Sequence, residues 1–256
     1  MFMRLMTGGG FGLLLLAGGV LAAPAAAHEA HKATADVPKS VGPKAVEPKA
    51  LGMPWNERDF AFAAPPPGSY QLPPLKTAPD GELLAADGRP VRLSQELAGR
   101  VALVSFIYTR CSDAHGCPLA LAVFSTIEAA AALDPQLAAN LRLTAISFDP
   151  DHDSPPVMAE LLRREAAHAD KVAWSALTAR DRDRIRPILD GFGQYVVPDI
   201  DAEGKPLGTF SHVLKVFLID RAGRIRNIYS ADFLDPRLVV NDVHTLLLEE
   251  AAIAGR

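Results

Sequence analysis

With 256 residues, 49% of them apolar, the chain has material for a substantial core, which excludes a disordered protein and bounds it at one large or two small domains. The net charge of −4 comes with no basic stripe and no long acidic run, which argues against nucleic acid as a partner. Charge alone says nothing further.

Arg4 is followed from Thr7 to Ala27 by an uncharged stretch, TGGGFGLLLLAGGVLAAPAAA, that closes on small residues. It reads as an export leader cleaved after Ala25 or Ala27, and it contains no cysteine to accept a lipid. The competing reading is an uncleaved anchor, because about 20 apolar residues span a bilayer. On either reading the rest of the chain is periplasmic or otherwise extracytoplasmic, soluble after cleavage or tethered to the inner membrane, where thiols can be oxidised and copper is met. Cleavage after Ala25 would also leave Ala26-Ala27-His28 as a terminal set able to wrap Cu(II), although most such tails are simply solvated.

Residues 28–69 form an expected linker. Pro-Lys recurs three times between Asp36 and Pro54, and a second proline cluster follows from Ala64 to Pro74, so the segment should stay extended. The folded domain is expected over residues 70–256.

VALVSFIYT (Val101 to Thr109) is a continuous β-branched and aromatic run, expected as a strand buried on both faces. A turn follows, then a helix from Pro118, whose run LALAVFSTIEAAAAL is apolar nearly all round. LRLTAISFD (Leu141 to Asp149) reads as a second strand, and SPPVMAELLRREAAHA as a second helix with Ser154 at its cap. Beyond Trp174 the sequence predicts a helix, RDRIRPILDGFG, broken at Pro187 and ending near Gly191 or Gly193. HVLKVFLID (His212 to Asp220) and IRNIYSADF (Ile225 to Phe233) are expected as two strands joined by a turn with Gly223, before a last helix from Asp235 to about Ala252. This order predicts an α/β protein of thioredoxin-like layout, a central mixed sheet flanked by helices.

The only two cysteines, Cys111 and Cys117, lie in TRCSDAHGCPLA after the first buried strand. On a continuous helix, positions six apart are separated by about 9 Å of rise, more than the roughly 4.4–6.8 Å between Cα atoms of a disulfide. Ser112 to Gly116 must therefore loop, with Asp113 suited to the turn and Gly116 able to take positive φ. Cys117 then stands at a helix start, where the dipole favours a thiolate. A structural disulfide is the competing reading. A domain of this size needs no such staple, and the position is where thioredoxin folds keep their chemistry.

The segments GRVALVSFIYTRC, ISFDPDHDSPPVM, WSALTA and FSHVLKVFLIDRAGRIRNIYS, with the Cys-Pro at Cys117, together resemble the Sco/SenC family of thioredoxin-fold copper proteins. The resemblance spans about Asp80 to Leu248. It implies copper, Cu(I) or Cu(II), held by Cys111, Cys117 and His212, and a role in cytochrome c oxidase assembly or copper delivery to an oxidase subunit or another redox protein. The chain departs from the family in one respect: CxxxxxC replaces CxxxC, which adds two residues to the turn and introduces His115. His115 and Asp149 are candidate additional site residues, the first from its place in the turn and the second from its match to a family aspartate. Arg110, beside Cys111, could lower that thiol's pKa. Asp151 and Asp153 read as helix-start charges.

Two further functions compete with metallochaperone. One is a thiol:disulfide oxidoreductase cycling Cys111 and Cys117 without metal, and the other is an electron-transfer module in which copper stays in place. A peroxidase is disfavoured, because Thr109 stands two rather than three residues before Cys111.

Overall fold

The computed structural model describes residues 62–255, so the expected leader, the terminal His28 set and most of the linker lie outside the described residues. The chain runs through β1 (Lys76–Thr77), β2 (Glu82–Ala85), β3 (Pro90–Arg92), α1 (Leu93–Leu97), β4 (Val101–Ile107), α2 (Cys117–Leu133), α3 (Pro135–Asn140), β5 (Leu141–Ser147) and α4 (Pro155–Glu165). It continues through β6 (Ala173–Thr178), α5 (Arg182–Phe192), β7 (Val196–Ile200), β8 (Pro206–His212), β9 (Val216–Ile219), β10 (Arg224–Tyr229) and α6 (Pro236–Ala254).

Eight strands form one mixed sheet in the order β1-β10-β9-β4-β5-β6-β2-β3, and β7 and β8 form a separate two-stranded sheet. Parallel β4, β5 and β6 make the centre, with β9 antiparallel on the other side of β4. All seven residues of β4 are buried, and their alternation divides the core. Ala102, Val104 and Phe106 face Met158, Leu161, Ile185 and Ile188 of α4 and α5. Val101 and Leu103 face Phe124 and Ile127 of α2 and Val239 and Val243 of α6. The expected thioredoxin-like sheet flanked by helices is therefore present, and its buried centre carries the cysteine turn at the carboxyl end of β4.

Several expectations are corrected. AWSALT (Ala173–Thr178) is a strand that was not anticipated; its Ala and Ser have little strand preference, and pairing with β5 decides the matter. α5 is not broken at Pro187, because burial of Ile185, Ile188, Leu189 and Phe192 outweighs the lost backbone bond; it ends at Gly193, whose φ of 68° suits glycine. α4 stops at Glu165 rather than continuing to Ala169, since the buried Glu128 carboxylate accepts the Ala167 and His168 amides instead. The strand expected from His212 to Asp220 is two pieces: His212 ends β8, and the sheet strand begins at Val216. Packing also begins before Tyr70, because the carbonyls of Phe62 and Pro65 accept from Arg237 and Asn241 of α6.

Candidate metal centre

β4 leaves the core at Ile107, and the Cys111 amide turns back to the Tyr108 carbonyl at 3.2 Å. Asp113 then closes the tight turn foreseen for it: its carboxylate accepts the His115 amide at 3.0 Å and its carbonyl accepts the Gly116 amide at 2.9 Å. Gly116 is the N-cap of α2, its carbonyl accepting from Leu119 and Ala120, so the helix begins at Cys117, one residue before the expected Pro118. Gly116 does not use positive φ, since its φ is −102°. Space makes it glycine: a Cβ would lie 3.3 Å from Cys111 Sγ and 3.3 Å from the Asp113 carbonyl oxygen.

His212 reaches this turn from the far side of the sequence. Its ring packs edge-on against Phe148 at 5.1 Å and Tyr108 at 6.0 Å between centroids, and Nε2 lies 3.6 Å from Cys117 Sγ. Ligand atoms of Cys111, Cys117 and His212 all fall within 4.8 Å of one another. The three ligand atoms therefore converge on one point. Tyr108 and Phe148, directly after β4 and β5, and Phe210 within β8 form an aromatic wall beside the site, which local sequence does not mark as such.

The electrostatics reverse one expectation. Cys117 is 1% exposed, and burial pushes its thiol far above the usual range, with the neighbouring Cys111 raising it further. Desolvation outweighs the helix dipole, so metal-free Cys117 is a thiol and a metal that binds it must displace the proton. Burial also lowers the His212 pKa, opposed by the Val213 backbone and the Asp113 charge, which keeps the imidazole neutral and able to donate its lone pair. Burial, and then the neighbouring Cys111, raises the phenol pKa of Tyr108.

The other candidates stand outside the trio. His115 is exposed at the turn. Asp149 is fully buried but bonds Arg110, 3.0 Å from its Nη2, and His152. Arg110 is thereby turned to Asp149 and to the Gly208 carbonyl. Asp151 pairs with Arg182 at 2.8 Å. Asp153 is no helix-start charge: fully buried, it accepts from the Thr109 amide, the Thr109 hydroxyl and the Ser147 hydroxyl, tying β4 to β5. Ser154 occupies the cap position without a side-chain bond.

A central parallel sheet, a cysteine turn leading into a buried helix and an imidazole facing both sulfurs define a thioredoxin-like protein with a dithiol–imidazole centre. The chain belongs to the SCO1/SenC family, whose pattern matches residues 72–248. It is similar to the apo Sco1 solution structure from Thermus thermophilus (25% identity, TM-score 0.53, covering 75% of this chain and 99% of that one). It is also similar to copper-bound ScoI from Bradyrhizobium japonicum (24%, TM-score 0.52, 68% and 98%). A SCO1/SenC family lipoprotein from Bacillus anthracis matches at 21% identity (TM-score 0.56, 70% and 99%). No curated protein matches the chain.

Proposed function

We propose that the chain binds copper through Cys111, Cys117 and His212 and delivers it by ligand exchange to an acceptor protein, a copper-receiving oxidase subunit or another redox protein, in cytochrome c oxidase assembly. The observation that carries this reading is the convergence of two sulfurs and one imidazole within 4.8 Å from elements 95 positions apart. Two sulfurs and a nitrogen form a soft donor set that suits Cu(I), and with a weak fourth donor can hold Cu(II). The copper-bound ScoI relative supports the choice of metal. Copper is the cargo: as it enters, Cys117 gives up its proton to solvent, and as it leaves, thiols of the acceptor replace the sulfurs one at a time, each losing its proton as the released cysteine regains one. Family membership and the leader-like residues 1–27 support an extracytoplasmic site of action, with residues 28–61 as the tether and the folded domain beyond them.

The test is His212→Ala. Two thiolates still hold Cu(I) linearly, whereas Cu(II), which prefers four donors in a tetragonal arrangement, loses a nitrogen. Sulfur-to-copper(II) absorption should collapse, with a smaller fall in Cu(I) affinity. Wild-type absorption in this variant, together with its loss in His115→Ala, would move the ligand into the turn. A wild type that takes up no copper would leave the thiol:disulfide oxidoreductase reading, which the proximity of the sulfurs favours.

A further inference from the structure

The arm that carries His212 lies outside the main sheet, since β7 and β8 pair with each other and, among the described residues, with no other strand. An imidazole on such an arm meets two sulfurs on α2 and the preceding turn only if the arm is fixed against that turn. Phe210 and His212, two apart at the end of β8, share one face of the hairpin, and Gly208 lies just before them where the register with β7 shifts, with a φ of 78°. Phe210 is buried against Tyr108 and Phe148, and the Arg182 guanidinium stacks 5.4 Å above its ring centre. Gly208 is gripped by a hydrogen bond: Arg110, the residue before Cys111, donates from Nη2 to its carbonyl oxygen at 3.0 Å.

The same nitrogen donates to Asp149 Oδ2 at 3.0 Å. Nη2 carries two hydrogens, and these two acceptors use both. His152 Nδ1, also 3.0 Å from Nη2, is left to donate its own proton to Asp149, which it faces at 3.0 Å. Asp149 is fully buried at the end of β5, so the arginine is anchored in the rigid sheet, and Arg182 approaches the other carboxylate oxygen at 3.7 Å. One guanidinium thus joins the Cys111 turn, the sheet and the hairpin. Asp149 and Arg110 both touch this junction and neither touches the three ligand atoms.

We propose that Arg110 is a positioning residue: anchored by Asp149, it holds β8 at Gly208 and so sets the approach of His212 to Cys111 and Cys117. This rests on the three-donor reading above. Its sign differs from the expectation that Arg110 serves the Cys111 thiol by charge, and the two are separable.

The test is a double-mutant cycle of Arg110→Met and His212→Ala in the full chain, with two readouts. Met keeps the side-chain length and removes both the charge and the donors. In the His212 background, Arg110→Met should weaken Cu(I) binding, the ion still held in both backgrounds, about tenfold, the worth of one charge-assisted hydrogen bond. In the His212→Ala background it should change the remaining affinity by less than about twofold, because the effect travels through the imidazole. Equal losses in both backgrounds would overturn the proposal and return Arg110 to a charge effect on the sulfurs. The second readout needs no metal: backbone amides of β7 and β8 should exchange roughly tenfold faster in copper-free Arg110→Met, while β4 and β5 keep their protection. Unchanged exchange across the hairpin overturns the proposal. If the wild type bound no copper through His212, the three-donor reading would fail while the exchange measurement still decided whether Arg110 holds the arm.

Discussion

Asp153→Ala should be among the most damaging single changes outside the hydrophobic core. The carboxylate is fully buried and accepts from the Thr109 amide at 3.0 Å, the Thr109 hydroxyl at 2.5 Å and the Ser147 hydroxyl at 2.5 Å. Each bond to a charged acceptor is worth about 1.5–3 kcal/mol, but the two hydroxyls can rotate toward other acceptors once the carboxylate is gone. The Thr109 amide cannot, and a buried amide without a partner costs about 1–3 kcal/mol. The expected loss is therefore about 1–3 kcal/mol from the amide, with a smaller share from the hydroxyls, a sizeable part of the roughly 5–15 kcal/mol that holds a domain together. Asp153→Asn keeps one carbonyl oxygen for the amide and should cost about half as much. Urea unfolding of the reduced, copper-free protein, followed by circular dichroism, measures both. A loss below about 1 kcal/mol for Asp153→Ala, with an unchanged denaturant slope, would refute the assignment of this carboxylate as the tie between β4 and β5.

Oxidation should join Cys111 to Cys117 within one chain, since their sulfurs already lie within 4.8 Å and the turn between them is a loop; alkylation and mass spectrometry should show a two-thiol difference, and two free thiols after full oxidation would exclude a redox cycle. The copper-free protein should also lose stability as pH falls below about 6.5, because burial lowers the pKa of both His212 and His244, the latter against the pull of Asp134. The unfolded chain binds protons that the native state resists, so stability is full above the unfolded pKa and is lost as pH falls through the lowered native values. Urea midpoints across this range should flatten when both histidines are changed to Gln; an unchanged slope would place the acid sensitivity elsewhere.

The cysteine turn was legible in the chain because the constraint on it is local. Six positions of helix would separate Cys111 from Cys117, so Ser112 to Gly116 had to loop, and Asp113 closes that loop as its side chain allows. β4 was legible for the same reason: a run rich in β-branched and aromatic residues with no charged position can only be buried on both sides. β6 was not, because AWSALT is a strand by virtue of the neighbour it pairs with.

His212 shows both sides of this division. Its place as a third donor came from a resemblance of motifs, and no spacing in the sequence brings residue 212 to residue 117; only the return of β8 along the face of Tyr108 and Phe148 does so. Charge states lay further still from the sequence. A cysteine at a helix start reads as a thiolate when the dipole is the only field considered, whereas the folded chain removes water from Cys117 and keeps it protonated. In the same way Arg110 reads as a cation beside a thiol, and the tertiary structure spends both hydrogens of its Nη2 on Asp149 and Gly208. Local sequence determines the residue types and turns that a short stretch can form, while desolvation and the choice of hydrogen-bond partner depend on segments far away in the chain and exist only once it has folded.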